Sequence, residues 1–290
     1  MVELSIQLPE GFLKEETRCG YTISEEMKTL WAVQLDLTVQ LFRICEKHGI
    51  RLYLSSGTIL GAARHQGFIP WDDDIDLTMT REEFDKLCEV APKELKYPYF
   101  FQTEQTDPGS LRGHGQIRRS DTTCILKEEL AGKYGFNQGI FVDIFPLDNV
   151  PKLSSFGQNL NRKLIGLFRG MITRKLGCLP HNTVASWGAW VLSHFFTVKQ
   201  LHKILDKLHK RYNSPDNGYI VNWASYYSIA KETFPKEAFG KPLFVPFEEV
   251  EMPVPSDYDT VLRTIYGDYM TPPPEDKRVI KHHFGVDGSD

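Results

Sequence analysis

The chain has 290 residues, 41% of them hydrophobic, which suits one large domain or a core with an inserted subdomain and excludes a disordered or fibrous chain. A net charge of −4 argues against a nucleic-acid binder. The five cysteines, Cys19, Cys45, Cys88, Cys124 and Cys178, stand singly with no CxxC, against structural zinc and a disulfide framework and for a reducing compartment.

The first residues, Met-Val-Glu-Leu-Ser, lack the basic and apolar run of a secretory leader, so a cytoplasmic protein is expected. Residues 1–21 read as irregular, with a short strand at Glu3–Gln7. Thr22 and Glu25 have capping-box spacing and open a helix whose Met27, Leu30, Trp31, Leu37, Leu41 and Ile44 recur every three or four residues, until Gly49 ends it. That helix is expected to pack the core and carry no chemistry.

The stretch from Arg51 to Met79 is the most informative. Leu52–Leu54 reads as a short buried strand. It ends in Ser55, Ser56, Gly57 and Thr58, small residues that let a phosphate approach the backbone, ahead of a short helix at Ile59–Arg64 whose N-terminus would face that phosphate. After Trp71 comes the acidic run Asp72, Asp73, Asp74, Ile75, Asp76. In a strand Asp74 and Asp76 share a face, while Ile75 and Leu77 point to the core. Two adjacent carboxylates repel and favour a cation, and hard oxygen donors suit Mg²⁺ or Mn²⁺, as a pair of ions. Asp72 and Asp73 are further members of the cluster. A solvated acidic loop fits poorly beside Phe68, Ile69, Ile75 and Leu77, and a calcium loop lacks its glycine, because Leu77 stands at position 6. A metal-binding Asp-x-Asp also serves nucleotide-sugar glycosyltransferases, and that reading stays open.

Thr80 and Glu83 repeat the capping-box spacing before a helix to about Glu89. Tyr97–Gln102, Gly115–Arg119 and Thr122–Leu126 read as strands, with a turn at Asp107–Ser110. Arg118 and Arg119 then face opposite sides; Arg118 is a candidate for a phosphate, against the alternative of a solvated edge. Within Gly139–Asp148 the single acid Asp143 lies among Ile, Phe and Val, where a carboxylate is costly unless it is paired or on a metal. It is the third candidate carboxylate. Asp148 is a second candidate and reads as a turn or cap residue before Pro151.

Residues 152–213 carry eleven Lys or Arg and one acid, Asp206, and read as helices over 153–177, 183–196 and 197–212. No charge falls between Lys175 and Lys199, but the apolar run is too short and broken to span a bilayer. A subdomain packed on the core with its lysines solvated is the favoured reading; contact with an anionic membrane, at the inner face of the cytoplasmic membrane, is the other. The remainder, 214–290, is rich in Tyr and Pro and reads as a wrap over the core, with Arg278 and His283 as candidate phosphate contacts. The expected division is 1–151 as catalytic core, 152–213 as basic helical subdomain and 214–290 as C-terminal segment.

The run GTILGAARHQGFIPWDDDIDLTM, the DIFPLD of residues 143–148, and a C-terminal segment with Phe247-Glu248, Tyr258-Asp259, Tyr266–Met270, Arg278 and His282-His283 together resemble the LicD family of phosphorylcholine transferases, distant relatives of fukutin-related protein. Glu249 stands where many members have Gly. The resemblance spans nearly the whole chain. It implies a nucleotidyltransferase-like α+β fold, a mixed sheet in an α/β core flanked by helices. It further implies that Asp74, Asp76 and Asp143 hold divalent ions, that Ser56, Gly57, Thr58, Arg64 and Arg278 bind nucleotide phosphate, and that a phosphoryl-linked alcohol passes from CDP-choline or a related donor to a sugar of a surface glycan or its lipid-linked precursor, releasing CMP.

Overall fold

A computed structural model describes residues 2–110, 112–126, 135–151, 156–177, 183–225, 227–280 and 284–285. Two short strands, β1 (Glu16–Arg18) and β2 (Tyr21–Ile23), precede helix α1 (Glu25–Lys47). No strand forms at Glu3–Gln7. The α1 cap is Ser24, whose hydroxyl accepts from Met27 N at 3.2 Å; the expected cap Thr22 is instead paired with Thr17 in the β1–β2 ladder. Gly49 at φ +63° ends the segment, a backbone that a Cβ would strain.

Strand β3 (Tyr53–Leu54), helix α2 (Ser56–His65), strand β4 (Asp76–Thr80) and helix α3 (Arg81–Glu94) follow. Thr80 caps α3 by position, but its side chain makes no cap hydrogen bond; Glu83 turns instead to Arg51 Nε at 3.1 Å. The helix also runs five residues past Glu89. Next come β5 (Tyr99–Gln102), β6 (Gly115–Arg119), β7 (Ile125–Leu126) and the ten-residue β8 (Ile140–Asn149).

β8 is the axis of the sheet. Its first half pairs antiparallel with β6, and its middle and later residues pair parallel with β4. Its last two residues pair with β9 (Tyr219–Val221), beyond which lies β10 (Thr233–Pro235). With β3 on β4 and β5 on β6, the result is a seven-stranded mixed sheet. The C-terminal segment thus extends the sheet as well as covering it. Hairpin β11 (Leu243–Phe247) to β12 (Val250–Val254) and helix α7 (Tyr258–Tyr266) add to the core, and β13 (Phe284–Gly285) pairs with β7.

The main core joins α1, β3, β4, β8 and α7 residues; Trp31 stacks on Phe68 with ring centroids 4.4 Å apart and planes 2° apart. A second apolar cluster lies among α4 (Phe156–Lys175), α5 (Val184–Ser193) and α6 (Val198–His209), and reaches Val150, Val221 and Trp223. The expected start of the first of these helices at 153 lies outside the described residues. Among the described residues no helix is long and apolar enough to cross a membrane, and Cys19, Cys45 and Cys88 are free thiols.

Candidate active site

The site forms where β4 and β8 run side by side. Their parallel register sets Asp76 directly opposite Asp143, so two carboxylates distant in sequence share one end of the sheet. Asp76 is fixed from both directions: its N–H donates to Thr58 Oγ1 at 2.9 Å, and its carbonyl accepts from Ser55 N at 2.8 Å. Thr58 therefore anchors the acid, and its own N–H is used by Ser55 O at 2.9 Å. The predicted small-residue turn is already helical, since α2 begins at Ser56, which sits at φ +45°. A left-handed non-glycine residue at a helix start is a strained conformation of the kind concentrated at functional sites.

The acidic loop is held from α1. Trp31 Nε1 donates to the Asp72 carbonyl and Gln34 Nε2 to the Asp73 carbonyl, each at 3.0 Å. The expectation that this helix only packs the core missed that task. The signal was Gln34, a polar residue on an otherwise apolar face, buried to 1% exposure. Carboxylate oxygens of Asp72, Asp73 and Asp74 lie within 4.8 Å of one another. Asp73 is buried, whereas Asp72, Asp74 and Asp76 are partly exposed.

The electrostatics fit a cation. Burial, then the charges of Asp74, Asp143 and Asp72, push the Asp76 carboxyl well above the usual range. Burial also pushes Asp143 up, but His114, Arg112 and Gln116 outweigh it and hold this carboxyl low. His114 Nε2 meets Asp143 Oδ1 at 3.0 Å and Gln116 Nε2 donates to the same oxygen at 2.6 Å. Burial keeps His114 itself below its ordinary value, against the pull of the neighbouring Asp143 charge. Neither His114 nor Gln116 was foreseen. Oxygen-only donors with mutually repelling charges are the set that Mg²⁺ or Mn²⁺ takes.

Gly57 closes against the loop: a Cβ there would lie 2.9 Å from Asp72 Oδ2. Gly57→Ala is expected to displace that carboxylate, lowering turnover roughly tenfold while shifting the melting temperature little, as an activity assay beside a thermal melt will show.

Arg64 donates from Nη1 to Tyr269 O at 3.1 Å and from Nε to His65 Nε2 at 3.0 Å. Burial and then the nearby Arg278 lower its pKa. Arg278 lies 5.2 Å over the Trp71 ring and donates to Cys19 O and Pro273 O. Two guanidinium groups thus meet beside Trp71, next to the acidic loop. Tyr266 of α7 faces the same loop; burial, then Tyr227, Asp72 and Asp76, raise its hydroxyl well above 10, so it stays protonated.

Other candidates fall elsewhere. Arg118 is buried, with Nη2 on Gln116 Oε1 at 2.7 Å, Nε on Gln102 Oε1 and Nη1 on the Gly139 carbonyl at 2.8 Å, so it braces the Gln116 that holds Asp143. Asp148 is no turn or cap residue: it lies within β8, fully buried and in a two-point ion pair with Arg81. His283 lies outside the described residues.

Glu232, beside β10, accepts from Ser225 Oγ at 2.6 Å; burial pushes its carboxyl up to about 7, and it is one of the charges acting on Asp76. An acid raised on folding stabilises most below its unfolded value and loses that contribution as pH rises through the folded one. Stability is therefore expected to fall between about pH 4.5 and 7. Glu232→Gln should flatten that slope in melts taken across the interval.

The LicD/FKTN/FKRP nucleotidyltransferase domain matches residues 49–153, the stretch that holds β3, β4 and β8 and sets Asp76 opposite Asp143. The chain belongs to the LicD family. It is 30% identical over 253 residues to the lipopolysaccharide cholinephosphotransferase LicD of Haemophilus influenzae, covering 86% of this chain and 93% of that protein. Over 40 residues it is 48% identical to the human and mouse ribitol 5-phosphate transferase FKRP, 14% of this chain and 8% of theirs. The chain is accordingly a transferase of this family.

Proposed function

We propose that the protein transfers a phosphoryl-linked alcohol, with phosphocholine from CDP-choline as the first candidate, to a sugar hydroxyl of a surface glycan or its lipid-linked precursor. The observation that carries this is the register of Asp76 against Asp143 beside the Asp72–Asp74 cluster, in a chain aligned with a cholinephosphotransferase over 93% of the latter's length. Asp74, Asp76 and Asp143 hold Mg²⁺ or Mn²⁺, with Asp72 at the edge of the cluster. Divalent ions held there would supply positive charge to the donor phosphate and to the departing CMP.

The first turn of α2, with Ser56 and Gly57, receives a donor phosphate, and the Arg64–Arg278 pair supplies positive charge beside it. The acceptor oxygen attacks the phosphorus that bears the alcohol. The new O–P bond forms as the pyrophosphate P–O bond breaks, its electron pair leaving with CMP. Asp143, oriented by His114 and Gln116, either shares the second ion or takes the proton of the hydroxyl.

The test is release of CMP. The purified chain is incubated with Mg²⁺, a panel of sugar acceptors, and CDP-choline, CDP-ribitol or UDP-glucose in turn. CMP formed from a CDP-alcohol and abolished in Asp143→Ala is the expected result. UDP formed from UDP-glucose, surviving Asp143→Ala, would assign the site to glycosyl transfer instead.

A further inference from the structure

Helix α5 is built inside out. Its ten residues include no ionisable group, and its buried positions are Ser186, Ala189 and Ser193, the small residues of one helical face. The two hydroxyls are satisfied inside their own turns, Ser186 Oγ by the Thr183 carbonyl at 2.7 Å and Ser193 Oγ by the Trp190 carbonyl at 2.6 Å. The large apolar residues point outward instead: Val184 is 91% exposed, Trp187 51%, and Phe195 just beyond the helix 78%. A helix in water turns its apolar stripe to the core. Its neighbour α6 obeys that rule, burying Leu201 and Leu205 and exposing Lys199, Lys203 and Lys207. Core packing with solvated lysines thus describes α6, whereas α5 gives only Ala189 to the buried apolar cluster among the described residues.

Helix α4, packed against α5, also exposes large apolar residues. Phe156 is 85% exposed, and Leu160 and Leu167 follow four and eleven residues later on the same side, with the exposed Lys163 between them. Eight of the fourteen large hydrophobic side chains exposed among the described residues fall within 156–195. Such concentration marks a contact surface rather than scattered exposure. Its partner is indicated by charge: residues 152–213 hold eleven Lys or Arg against one acid, within a chain whose total is −4.

We infer that the α4–α5 face binds the surface of an anionic phospholipid bilayer, its aromatic and aliphatic side chains entering the headgroup boundary while the flanking lysines meet lipid phosphates. Ten residues of helix span about 15 Å, half of a hydrocarbon layer, so α5 lies on the membrane and does not cross it. This surface stands independently of the transferase reading, because vesicle binding is measured without turnover.

The experiment is flotation of the purified full chain with vesicles of phosphatidylcholine alone or with about one third phosphatidylglycerol, at low and high salt, beside the variant Trp187→Asp/Val191→Asp. Both positions are exposed, so the variant's melting temperature should match that of the wild type, and CMP release should be unchanged. Flotation with the anionic vesicles, weakened by salt and reduced roughly tenfold in the variant, is expected, with a blue shift of tryptophan emission. No flotation at low salt would overturn the proposal, as would equal flotation of the variant. Concentration-dependent self-association in vesicle-free buffer, abolished by the same variant, would reassign the face to a second copy of the chain.

Discussion

Asp76→Asn is expected to cut turnover on the order of a thousandfold and, in metal-free buffer, to raise the melting temperature. Both effects come from one arrangement. Asp76 is partly removed from water and faces the charges of Asp74, Asp143 and Asp72, so its carboxyl is pushed well above the usual range. Without a cation, folding must either bury that charge among like charges or hold a proton on it. Asparagine keeps the shape and the backbone contacts to Thr58 and Ser55, and removes the charge. A divalent ion reverses the balance, because ionised Asp76 becomes a donor and the metal binds with release of a proton. Wild-type protein should therefore melt higher on addition of Mg²⁺, by about 3 kcal/mol of stability at a hundredfold excess over Kd, whereas Asp76→Asn should respond weakly. An equal metal shift in the two proteins would remove Asp76 from the site.

The second large effect is structural. Asp148→Ala is expected to cost about 3–5 kcal/mol, lowering the melting temperature by roughly 10 °C. Arg81 Nε and Nη2 reach the two Asp148 oxygens at 2.8 and 2.7 Å, and Asn213 Nδ2 donates to the same carboxylate at 2.8 Å. This pair joins the start of α3 to β8 and ties both to the end of the helical segment. Removing the acid leaves a buried guanidinium with only the more distant Asp85 and Asp206 nearby. The double replacement Arg81→Met/Asp148→Leu should recover much of the loss, since the uncompensated charge is then gone. If urea titrations of single and double variants gave equal losses, the cost would lie in packing and not in charge.

Much of the site was legible because its chemistry conflicts with its surroundings. Asp143 stood out as a lone acid in an apolar strand, and the Asp72–Asp76 run stood out because apolar residues flank it. That Asp76 and Asp143 face each other was not legible: it follows from the parallel β4–β8 pairing, a long-range register that no local period encodes. His114 and Gln116 were missed for the same reason, since only the β6–β8 ladder carries them to Asp143. Asp148 looked like a cap because Pro151 follows it, while its partner Arg81 lies 67 residues away. Helix ends were less readable, since α2 begins three residues before Ile59 and α3 runs five past Glu89, and competing cap residues were not legible. Ser24 took the position expected of Thr22 because Thr22 is held in a strand. The α5 segment was legible as an uncharged apolar and aromatic run, yet such a run does not say what its surface meets.

The proposed reaction requires the acidic cluster to bind a cytidine nucleotide through a metal ion. A calorimetric titration of CDP-choline tests it most directly, with and without Mg²⁺, into wild-type protein and Asp76→Asn. The expected result is binding that requires Mg²⁺, is competed by CMP but not by UMP, and disappears in the variant. Binding of CDP-choline that is unchanged by removing Mg²⁺ or by Asp76→Asn would contradict it.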